Sequence, residues 1–290
     1  MTKFTNQFLL ITDLDNTLVG DDLATKELNQ YLSTNRQHYV LVYATGRSYN
    51  SAQHLMQERE LIEPDYWVTG VGTEIYARGY LDLTWAIKIS TDWNSGEIAS
   101  LIDEQFPSLK PQNKAEQNPW KLSFHLDSLD RSISRLQEVC ETNTKYSELE
   151  NTPFPKYTSQ FVMLKERKSC TNATLEKLDA SLKRKGLNAQ IVFSSNVDVD
   201  ILPINANKGN AVQYLQEKTE IAPYRTLVCG DSGNDISMFR QDTFGVIVNN
   251  AQTELVEWYR AYSDRRHYLA NNSYAGGILE AMQKFNLLFK

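Results

Sequence analysis

Cysteine and histidine are scarce in this chain of 290 residues, which has three of the former and four of the latter. The cysteines, Cys140, Cys170 and Cys229, are odd in number, lie far apart in sequence and form no CxxC pair. This pattern excludes a disulfide framework and is typical of a reducing compartment. The histidines show neither HxH nor HExxH spacing, so no zinc site is expected and any bound metal should have oxygen ligands.

Long apolar runs and an excess of positive charge are also missing. No stretch approaches the ~18 apolar residues that a membrane helix needs. The chain begins with MTKFTNQFLLITDLDNT, whose short apolar run FLLI is followed at once by acidic residues, unlike a signal peptide. With 30 Lys and Arg against 36 Asp and Glu, the formal charge is -6, which argues against a nucleic-acid partner. We expect a cytoplasmic protein with neither a nucleic-acid nor a membrane partner.

The chain is apolar enough for a substantial core, with 41% hydrophobic residues. Both of its ends contain short apolar runs without period-2 alternation, each followed by a polar turn and then a helical stretch. Such runs are typical of strands that are buried on both faces of a parallel sheet. The runs are FLLIT (8–12), YVLVYA (39–44), TLVCGD (226–231) and GVIVNN (245–250), and the helical stretches include 49–60, 235–241 and 254–262.

The middle of the chain has a different pattern, in which apolar residues partly alternate with polar ones. This pattern favours strands with one covered and one open face. The runs are 121–126, 160–165, 190–195 and 199–203, with helical stretches near 131–140 and 175–185 and a polar loop at 141–156. We therefore predict an α/β fold in which residues 1–85 and 204–290 form a core with a doubly wound, mainly parallel sheet. Residues 86–203 are predicted to form an inserted α+β cap domain.

Charged and hydroxyl side chains stand at the ends of the predicted strands or at the starts of helices. Asp13 and Asp15 follow the first strand two residues apart, so both side chains project into the crevice at the carboxyl end of a parallel sheet. Each such residue alone is explained by a solvated turn, a helix cap or a surface lysine. Because all of these residues stand at strand ends or helix starts, a coincidence of separate structural roles does not explain their arrangement. The later members of this set are Thr45, Lys208 in NKG, and Asp231 and Asp235 in GDSGND.

The order of these motifs, DLDNT, a strand ending in Thr, NKG and GDSGND, resembles the haloacid dehalogenase superfamily of phosphatases. The insertion between the Thr and Lys motifs is similar to the large α/β cap of that superfamily. The stretch from about 141 to 170 is longer than in the family pattern. Nearly the whole chain resembles the sucrose-phosphate phosphatases of cyanobacteria and plants in sequence. The segments that carry this resemblance are LLITDLDNTLVGD, YATGRSY, EPDYWVTGVGTEIY, QNPWKLSFHLD, VDILP, NKGNAVQYL and LVCGDSGNDISMF.

This resemblance implies a magnesium-dependent phosphatase that hydrolyses sucrose 6-phosphate through an aspartyl-phosphate. Asp13 would be the nucleophile and Asp15 the general acid and base. Mg²⁺ suits such a site, because it prefers oxygen ligands and reduces repulsion between carboxylates and a phosphate dianion. The implied metal ligands are Asp13, the carbonyl of Asp15, Asp231 and Asp235, with orientation of Lys208 as the alternative role of Asp235. The implied phosphate-binding residues are Thr45, Lys208 and Asn234.

Recognition of the sugar is expected in the cap, because the core residues handle only phosphorus and metal. Buried polar groups that match the sugar hydroxyls would reject other compounds strongly. Lys121, Ser123 and His125 would share one face of a strand, which either points into the crevice between core and cap or is simply its solvated side. The substrate-binding candidates are Asn118, Trp120, Lys121 and His125 in the cap, with Arg47 and Glu74 on the core side.

Other functions are open to the sequence as well. A retuned cap could select another sugar phosphate, of the trehalose, mannosylglycerate or glucosylglycerol type. A phosphomutase fits less well with a cap of this size. A silent module that binds sucrose-phosphate synthase is a non-enzymatic alternative, but the presence of Asp13, Asp15 and Lys208 argues against it. An active enzyme could also bind that synthase, and we expect it to be a monomer.

Overall fold

The computed structural model of the chain describes residues 7–126, 157–195 and 197–287. These residues form an eight-stranded and a four-stranded β-sheet joined by helices. Within these ranges, no helix combines the length and the apolar character that crossing a bilayer requires. The strands are β1 (Phe8–Thr12), β2 (Tyr39–Ala44), β3 (Tyr66–Thr69), β4 (Glu74–Ala77), β5 (Tyr80–Leu81), β6 (Leu109–Pro111), β7 (Leu122–Leu126), β8 (Ala189–Ser194), β9 (Asp198–Pro203), β10 (Thr226–Gly230), β11 (Phe244–Ile247) and β12 (His267–Leu269). The α-helices are α1 (Asp22–Thr34), α2 (Tyr49–Glu58), α3 (Leu83–Ser90), α4 (Ser95–Gln105), α5 (Tyr157–Arg184), α6 (Lys208–Thr219), α7 (Ile236–Phe239), α8 (Thr253–Tyr262) and α9 (Tyr274–Lys284).

The eight-stranded sheet has β1 in its middle, with the strand order β12-β11-β10-β1-β2-β3-β4-β5. The pairs from β12 to β3 are parallel, while β3–β4 and β4–β5 are antiparallel. Parallel neighbours require long crossover connections, and helices supply most of them here. The predicted doubly wound, mainly parallel α/β sheet is thus confirmed.

Every residue of β1 is buried, which explains the unbroken apolar run in this part of the sequence. Leu9 and Ile11 pack into one hydrophobic cluster, whereas Phe8 and Leu10 pack into another. Successive side chains of a strand point to opposite faces. A strand that is covered on both faces therefore has apolar residues at successive positions and no alternation with polar ones. The acidic motif that follows β1 therefore starts from a strand fixed on both sides.

The four-stranded sheet is antiparallel, with the strand order β6-β7-β9-β8. One face packs with α4 and α5 in a separate hydrophobic cluster, to which β7 contributes Phe124 and Leu126. Ser123 and His125 alternate with Phe124 and Leu126 along β7 and therefore lie on the other face of the sheet. This confirms the α+β character predicted for the middle of the chain, and the boundaries proposed at 85 and 204 stay predictions.

One predicted strand is wrong. Residues 160–165 lie inside α5, which runs from Tyr157 to Arg184. The periodicity of a short apolar run is compatible with a strand and with a buried part of a helix. Only the length of the surrounding hydrophobic pattern distinguishes these two assignments. The helix predicted at 175–185 is confirmed as the end of α5. The helix predicted at 131–140 and the loop predicted at 141–156 lie outside the described residues.

Candidate active site

A fully buried lysine links two carboxylates at the centre of the site. The Nζ atom of Lys208 donates a hydrogen bond of 2.7 Å to Asp13 Oδ1 and another of 2.7 Å to Asp235 Oδ1. All three side chains are buried. Burial by itself lowers the pKa of Lys208, but the charges of the two carboxylates outweigh it and raise that pKa above its ordinary value. Lys208 therefore stays cationic.

The start of α6 holds Lys208 in this position. Asn207 caps the helix, since its Oδ1 atom accepts the backbone N–H of Asn210 at 2.8 Å. The next residue after the lysine, Gly209, lies so close to α7 that an added Cβ would come within 2.1 Å of the carbonyl oxygen of Ser237. This close approach requires a residue without a side chain, and it brings the lysine to the end of β1.

The GDSGND motif forms a short 3₁₀ turn after β10. Oδ2 of Asp235 accepts the backbone N–H groups of Asp231 and Ser232, each at 3.0 Å. Both oxygens of Asp235 thus have protein donors, one of which is Lys208. This geometry favours the orienting role of Asp235 over direct metal ligation. Asp231, in contrast, accepts a hydrogen bond of 3.2 Å from the hydroxyl of Thr17, a residue that the sequence analysis did not select.

The three buried carboxylates of the site lie close together. Asp13, Asp231 and Asp235 each offer an oxygen, and these atoms lie within 4.8 Å of one another. Burial, followed by the charges of the other two carboxylates, raises the pKa of Asp231 to about 8. Burial also raises the pKa of Asp13 to about 7, against the opposing charge of Lys208. The negative charges are therefore held at a cost in free energy, which a bound cation would remove.

An all-oxygen group of this kind fits Mg²⁺, which binds one or two carboxylates and keeps several waters. Asp13 and Asp231 are the better ligands, because both oxygens of Asp235 already accept protein hydrogen bonds. The side chain of Asp15 is not part of the group. Asp15 would therefore contribute to the metal only through its carbonyl oxygen, as the resemblance implies.

The side chain of Asp15 pairs with Arg47 instead. The guanidinium donates from Nε to Oδ2 and from Nη2 to Oδ1, each at 2.7 Å. Two parallel bonds fix the plane of the carboxylate as well as its position. The hydrogen bond to Asp15 also raises the pKa of Arg47, which stays charged. The sequence analysis proposed Arg47 for the sugar and did not predict its contact with Asp15.

Thr45 and Asn234, the neutral residues predicted to bind phosphate, line the same cavity as Asp13. Thr45 is buried at the end of β2, and its hydroxyl oxygen accepts the backbone N–H of Arg47 at 3.1 Å. Its O–H group can therefore donate toward the cavity. The Oδ1 atom of Asn234 is buried and has no hydrogen-bond partner among the described residues.

The cavity, of about 390 Å³, is lined by residues from both sheets and the loops around them. Its core wall carries most of the residues that the sequence motifs predicted, whereas Lys208 and Asp235 are buried outside its lining. The opposite wall is polar, and of its members only Lys121 was predicted. Asp198 and Asp200 lie two residues apart at the start of β9, which was predicted at 199–203, and this spacing across the start of the strand was the signal that could have found them. The members of the second wall are Gln112, Glu116, Lys121, Ser194, Ser195, Asp198 and Asp200.

The strand face that was predicted to carry Lys121 and His125 is buried at one end and solvated at the other. Lys121 is 3% exposed, and its Nζ atom donates to the carbonyl oxygen of Gly46 at 3.1 Å and lies 3.6 Å from Asp200 Oδ1. The side chain of His125 is 58% exposed, and Nδ1 lies 2.9 Å from Asp198 Oδ1. Lys121 thus reaches the loop that follows β2, whereas His125 lies outside the cavity lining.

The remaining substrate-binding candidates lie elsewhere. Asn118 and Glu74 line a neighbouring cavity of about 590 Å³, which shares Arg47 with the first. Burial raises the pKa of Glu74 above its ordinary value. Trp120 donates its indole N–H to the hydroxyl of Ser90 at 2.7 Å. The structure therefore places Lys121 in the first cavity, Asn118 and Glu74 in the second and Arg47 in both, while Trp120 and His125 line neither.

Known proteins resemble the chain along nearly its whole length. The model of the family described as sucrose-6F-phosphate phosphohydrolase matches residues 6–148 and 134–286. The probable sucrose-phosphatase 3a of Arabidopsis thaliana is 31% identical, over 97% of this chain and 60% of the plant protein. The chain thus spans about 60% of the length of the plant relatives it matches. A mannosylfructose-phosphate phosphatase of Agrobacterium fabrum is 30% identical, over 96% of this chain and 97% of that protein.

Solved structures support the same fold. The sucrose-phosphatase of Synechocystis sp. PCC6803, solved in complex with sucrose and phosphate, is 43% identical with a TM-score of 0.79, over 97% of this chain and 99% of that chain. Haloacid dehalogenase-like hydrolases at 16–20% identity, with TM-scores of 0.53–0.62, share the fold alone. The predicted haloacid dehalogenase-like α/β fold is confirmed.

The close approach at Gly209 can be tested with alanine. We expect Gly209→Ala to destabilise the protein by roughly 1–3 kcal/mol, because the carbonyl of Ser237 is backbone and cannot turn aside. Gly96→Ala is the matched control, since Gly96 is also the second residue of a helix and the nearest atom to its added Cβ is Asn94 Oδ1 at 3.7 Å. Thermal unfolding of both variants measures the difference. Equal stability of the two variants would contradict the steric account.

The raised pKa values of Asp13 and Asp231 predict that Mg²⁺ binding depends on pH. Both carboxyls must lose their protons to bind a cation, so affinity should rise from pH 6 to pH 8 by about tenfold per pH unit for each proton displaced. Calorimetry in two buffers of different ionisation enthalpy measures the affinity and the protons released. An affinity that is constant over this range, without proton release, would show that the carboxyls are already ionised.

Proposed function

The chain belongs to the sucrose-6F-phosphate phosphohydrolase family, and we propose that it hydrolyses sucrose 6-phosphate to sucrose and phosphate. The observation that carries the proposal is the Lys208 ammonium between Asp13 and Asp235, together with Asp13 and Asp231 in the lining of a cavity whose opposite wall is polar. The complex of the similar Synechocystis enzyme with sucrose and phosphate supports the choice of substrate.

The first step of the proposed reaction transfers the phosphoryl group to Asp13. Lys208 holds Oδ1 of this carboxylate, so the other oxygen is directed at phosphorus and forms a bond there. The bond between phosphorus and the sugar oxygen breaks, and that oxygen takes a proton from Asp15. Thr45 and Asn234 donate hydrogen bonds to the phosphoryl oxygens, where negative charge accumulates in the transition state.

The second step releases phosphate. Asp15, now ionised, removes a proton from a water molecule as the water attacks phosphorus. The bond between phosphorus and Asp13 breaks, so the carboxylate is restored and Asp15 has regained its proton. The bidentate pair with Arg47 is the arrangement of ionised Asp15, so Arg47 stabilises Asp15 during the interval in which it is ionised and releases one of its oxygens when Asp15 holds a proton. Asp13 and Asp15 are thereby restored, and the net change is the addition of water across the ester bond.

The proposed cofactor is Mg²⁺, held by Asp13, Asp231 and the carbonyl of Asp15. When bound, it supplies positive charge that offsets the repulsion between the carboxylates and the phosphate dianion. Asp235 has a different part in the proposal. It keeps Lys208 in place and, through its second oxygen, fixes the backbone of Asp231.

The polar wall opposite the carboxylates is proposed to select the sugar. Lys121 and Asp200 are both buried in this wall, and both can bind hydroxyl groups. A second candidate substrate is another disaccharide phosphate, which the 30% identity to a mannosylfructose-phosphate phosphatase supports. Such a change of substrate requires only a few altered hydroxyl contacts in this wall.

Several further expectations accompany this proposal. We propose that residues 86–203 act as the specificity cap and that residues 1–85 and 204–290 form the catalytic core. A cytoplasmic location is supported by the buried free thiol of Cys229. The monomeric state and the association with sucrose-phosphate synthase stay predictions, which gel filtration and a pull-down with the synthase test.

A substrate panel tests the function. Phosphate release should be fastest with sucrose 6-phosphate, slower with mannosylfructose phosphate and trehalose 6-phosphate, and abolished by EDTA until Mg²⁺ is added in excess. The physical reason is that any other compound leaves polar groups of the polar wall opposite the carboxylates without hydrogen-bond partners, and this costs binding free energy. A clear preference for another sugar phosphate would replace the proposed substrate. Full activity in excess EDTA would remove the metal from the proposal.

The double role of Asp15 can be separated by a leaving group that needs no proton. In Asp15→Asn, hydrolysis of sucrose 6-phosphate should slow by roughly 10² to 10⁴, the usual worth of a positioned acid. With p-nitrophenyl phosphate the same variant should give a burst of about one nitrophenolate per site and then slow turnover, because the aspartyl-phosphate lacks its base. Rapid quench measures the burst.

The matched control for this variant is Asp22→Asn, which makes the same change at an exposed carboxylate on α1. It should retain normal rates on both substrates. Steady turnover of both substrates by Asp15→Asn at the rate of the unmodified protein would exclude Asp15 from the mechanism.

A further inference from the structure

One side chain ties the loop after β1 to the carboxyl-terminal part of the chain. Asn250 follows β11, and its Nδ2 atom donates a hydrogen bond of 2.7 Å to the carbonyl oxygen of Asn16. Its Oδ1 atom accepts the backbone N–H of Tyr274 at 2.9 Å. A single amide thus joins three segments that are distant in sequence, and it uses its donor and its acceptor at once.

Both backbone partners of Asn250 have an unusual conformation. Asn16 has a φ of 59° and Tyr274 a φ of 52°, in the left-handed region that residues other than glycine seldom adopt. Such conformations cost free energy and persist only where the surroundings hold them. The ring of Tyr274 also packs directly on Gly20, where an added Cβ would lie 2.2 Å from its Cε1 atom. Asn250 and Tyr274 therefore hold the loop from 16 to 20 at both ends.

This loop contains groups that the proposed reaction needs. Asn16 directly follows Asp15. The next residue, Thr17, is fully buried and donates through Oγ1 to Asp231 Oδ1 at 3.2 Å. A displacement of the Asn16 peptide would therefore move both the proposed acid and the hydrogen bond that orients a proposed metal ligand.

We infer that Asn250 is a positioning residue for phosphoryl transfer, which acts by fixing the Asn16 peptide and, through it, Asp15 and the Thr17–Asp231 pair. Asn250 acts through these residues and not on the substrate. The inference rests on the proposed function for its kinetic consequences. Its consequence for Mg²⁺ binding can be measured without any substrate.

The amide can be tested by a change that keeps its size. Asn250→Asp replaces the donating NH₂ group by an oxygen, which when ionised cannot donate to the Asn16 carbonyl and repels it. Asn249→Asp is the matched control, because it introduces the same charge at the adjacent residue, which is exposed. Any effect of negative charge near the site is therefore common to both variants.

For Asn250→Asp we expect kcat on the sugar phosphate to fall by about tenfold or more, because a small misplacement of catalytic groups is costly. Mg²⁺ should bind about fivefold more weakly in calorimetry on the protein alone, since orientation of a ligand by its hydrogen-bond partner affects affinity. KM for the sugar phosphate should change by less than about twofold, because no sugar-binding group has moved. Asn249→Asp should match the unmodified protein in all three measurements.

Unchanged kcat and Mg²⁺ affinity in Asn250→Asp, or equal losses in Asn249→Asp, would overturn the inference. A fall in kcat with fewer Mg²⁺ sites per chain at unchanged affinity would mean partial unfolding, and this too would overturn it. If Asn250→Asp does not fold, Asn250→Ser and Asn249→Ser are compared on the same terms. If the unmodified protein hydrolyses no sugar phosphate, the proposed function fails, while the Mg²⁺ measurement still decides the role of Asn250.

Discussion

The ammonium of Lys208 is enclosed by protein on all sides, and this charge constrains the site more than any other group. A buried charge costs several kcal/mol unless it is paired, and here Asp13 and Asp235 each accept one of its hydrogen bonds. The lysine comes from α6, and its partners come from the end of β1 and the turn after β10. The pairing therefore fixes three elements relative to one another. Loss of either carboxylate would leave part of the buried charge unmatched.

The charges around this lysine do not balance. Three carboxylates face one ammonium, and among the described residues Asp231 has only the Thr17 hydroxyl as a side-chain hydrogen-bond donor. Burial, and after it this excess of negative charge, raises the pKa of Asp231. A divalent cation offsets this excess, whereas a phosphate dianion alone would add to it. The electrostatics thus make phosphate binding depend on prior or simultaneous binding of the cation.

The parts of the site that follow from local sequence were predictable, whereas those that depend on pairing between distant segments were not. Asp13, Thr45 and Asp231 follow apolar runs, and the carboxyl ends of parallel strands meet at one edge. The position of Asp200 depends on the register of β9 against β7, which no local pattern encodes. Asn250 likewise looks like an ordinary loop residue until its contact with Asn16 is known. The wrong strand at 160–165 failed because six residues are too few to distinguish the two periodicities.

The pairing of β1 with β10 also has a consequence for synthesis of the protein. These strands are neighbours in the sheet, yet more than two thirds of the chain separates them. A ribosome releases the whole four-stranded sheet before β10 exists, so this part can fold while the centre of the larger sheet still lacks one of its two parallel neighbours. Pairing of such distant segments is slow, because a long loop must close first. A nascent chain that carries the first acidic motif has neither Lys208 nor the GDSGND turn, so the proposed site stays incomplete until residue 235 has been synthesised.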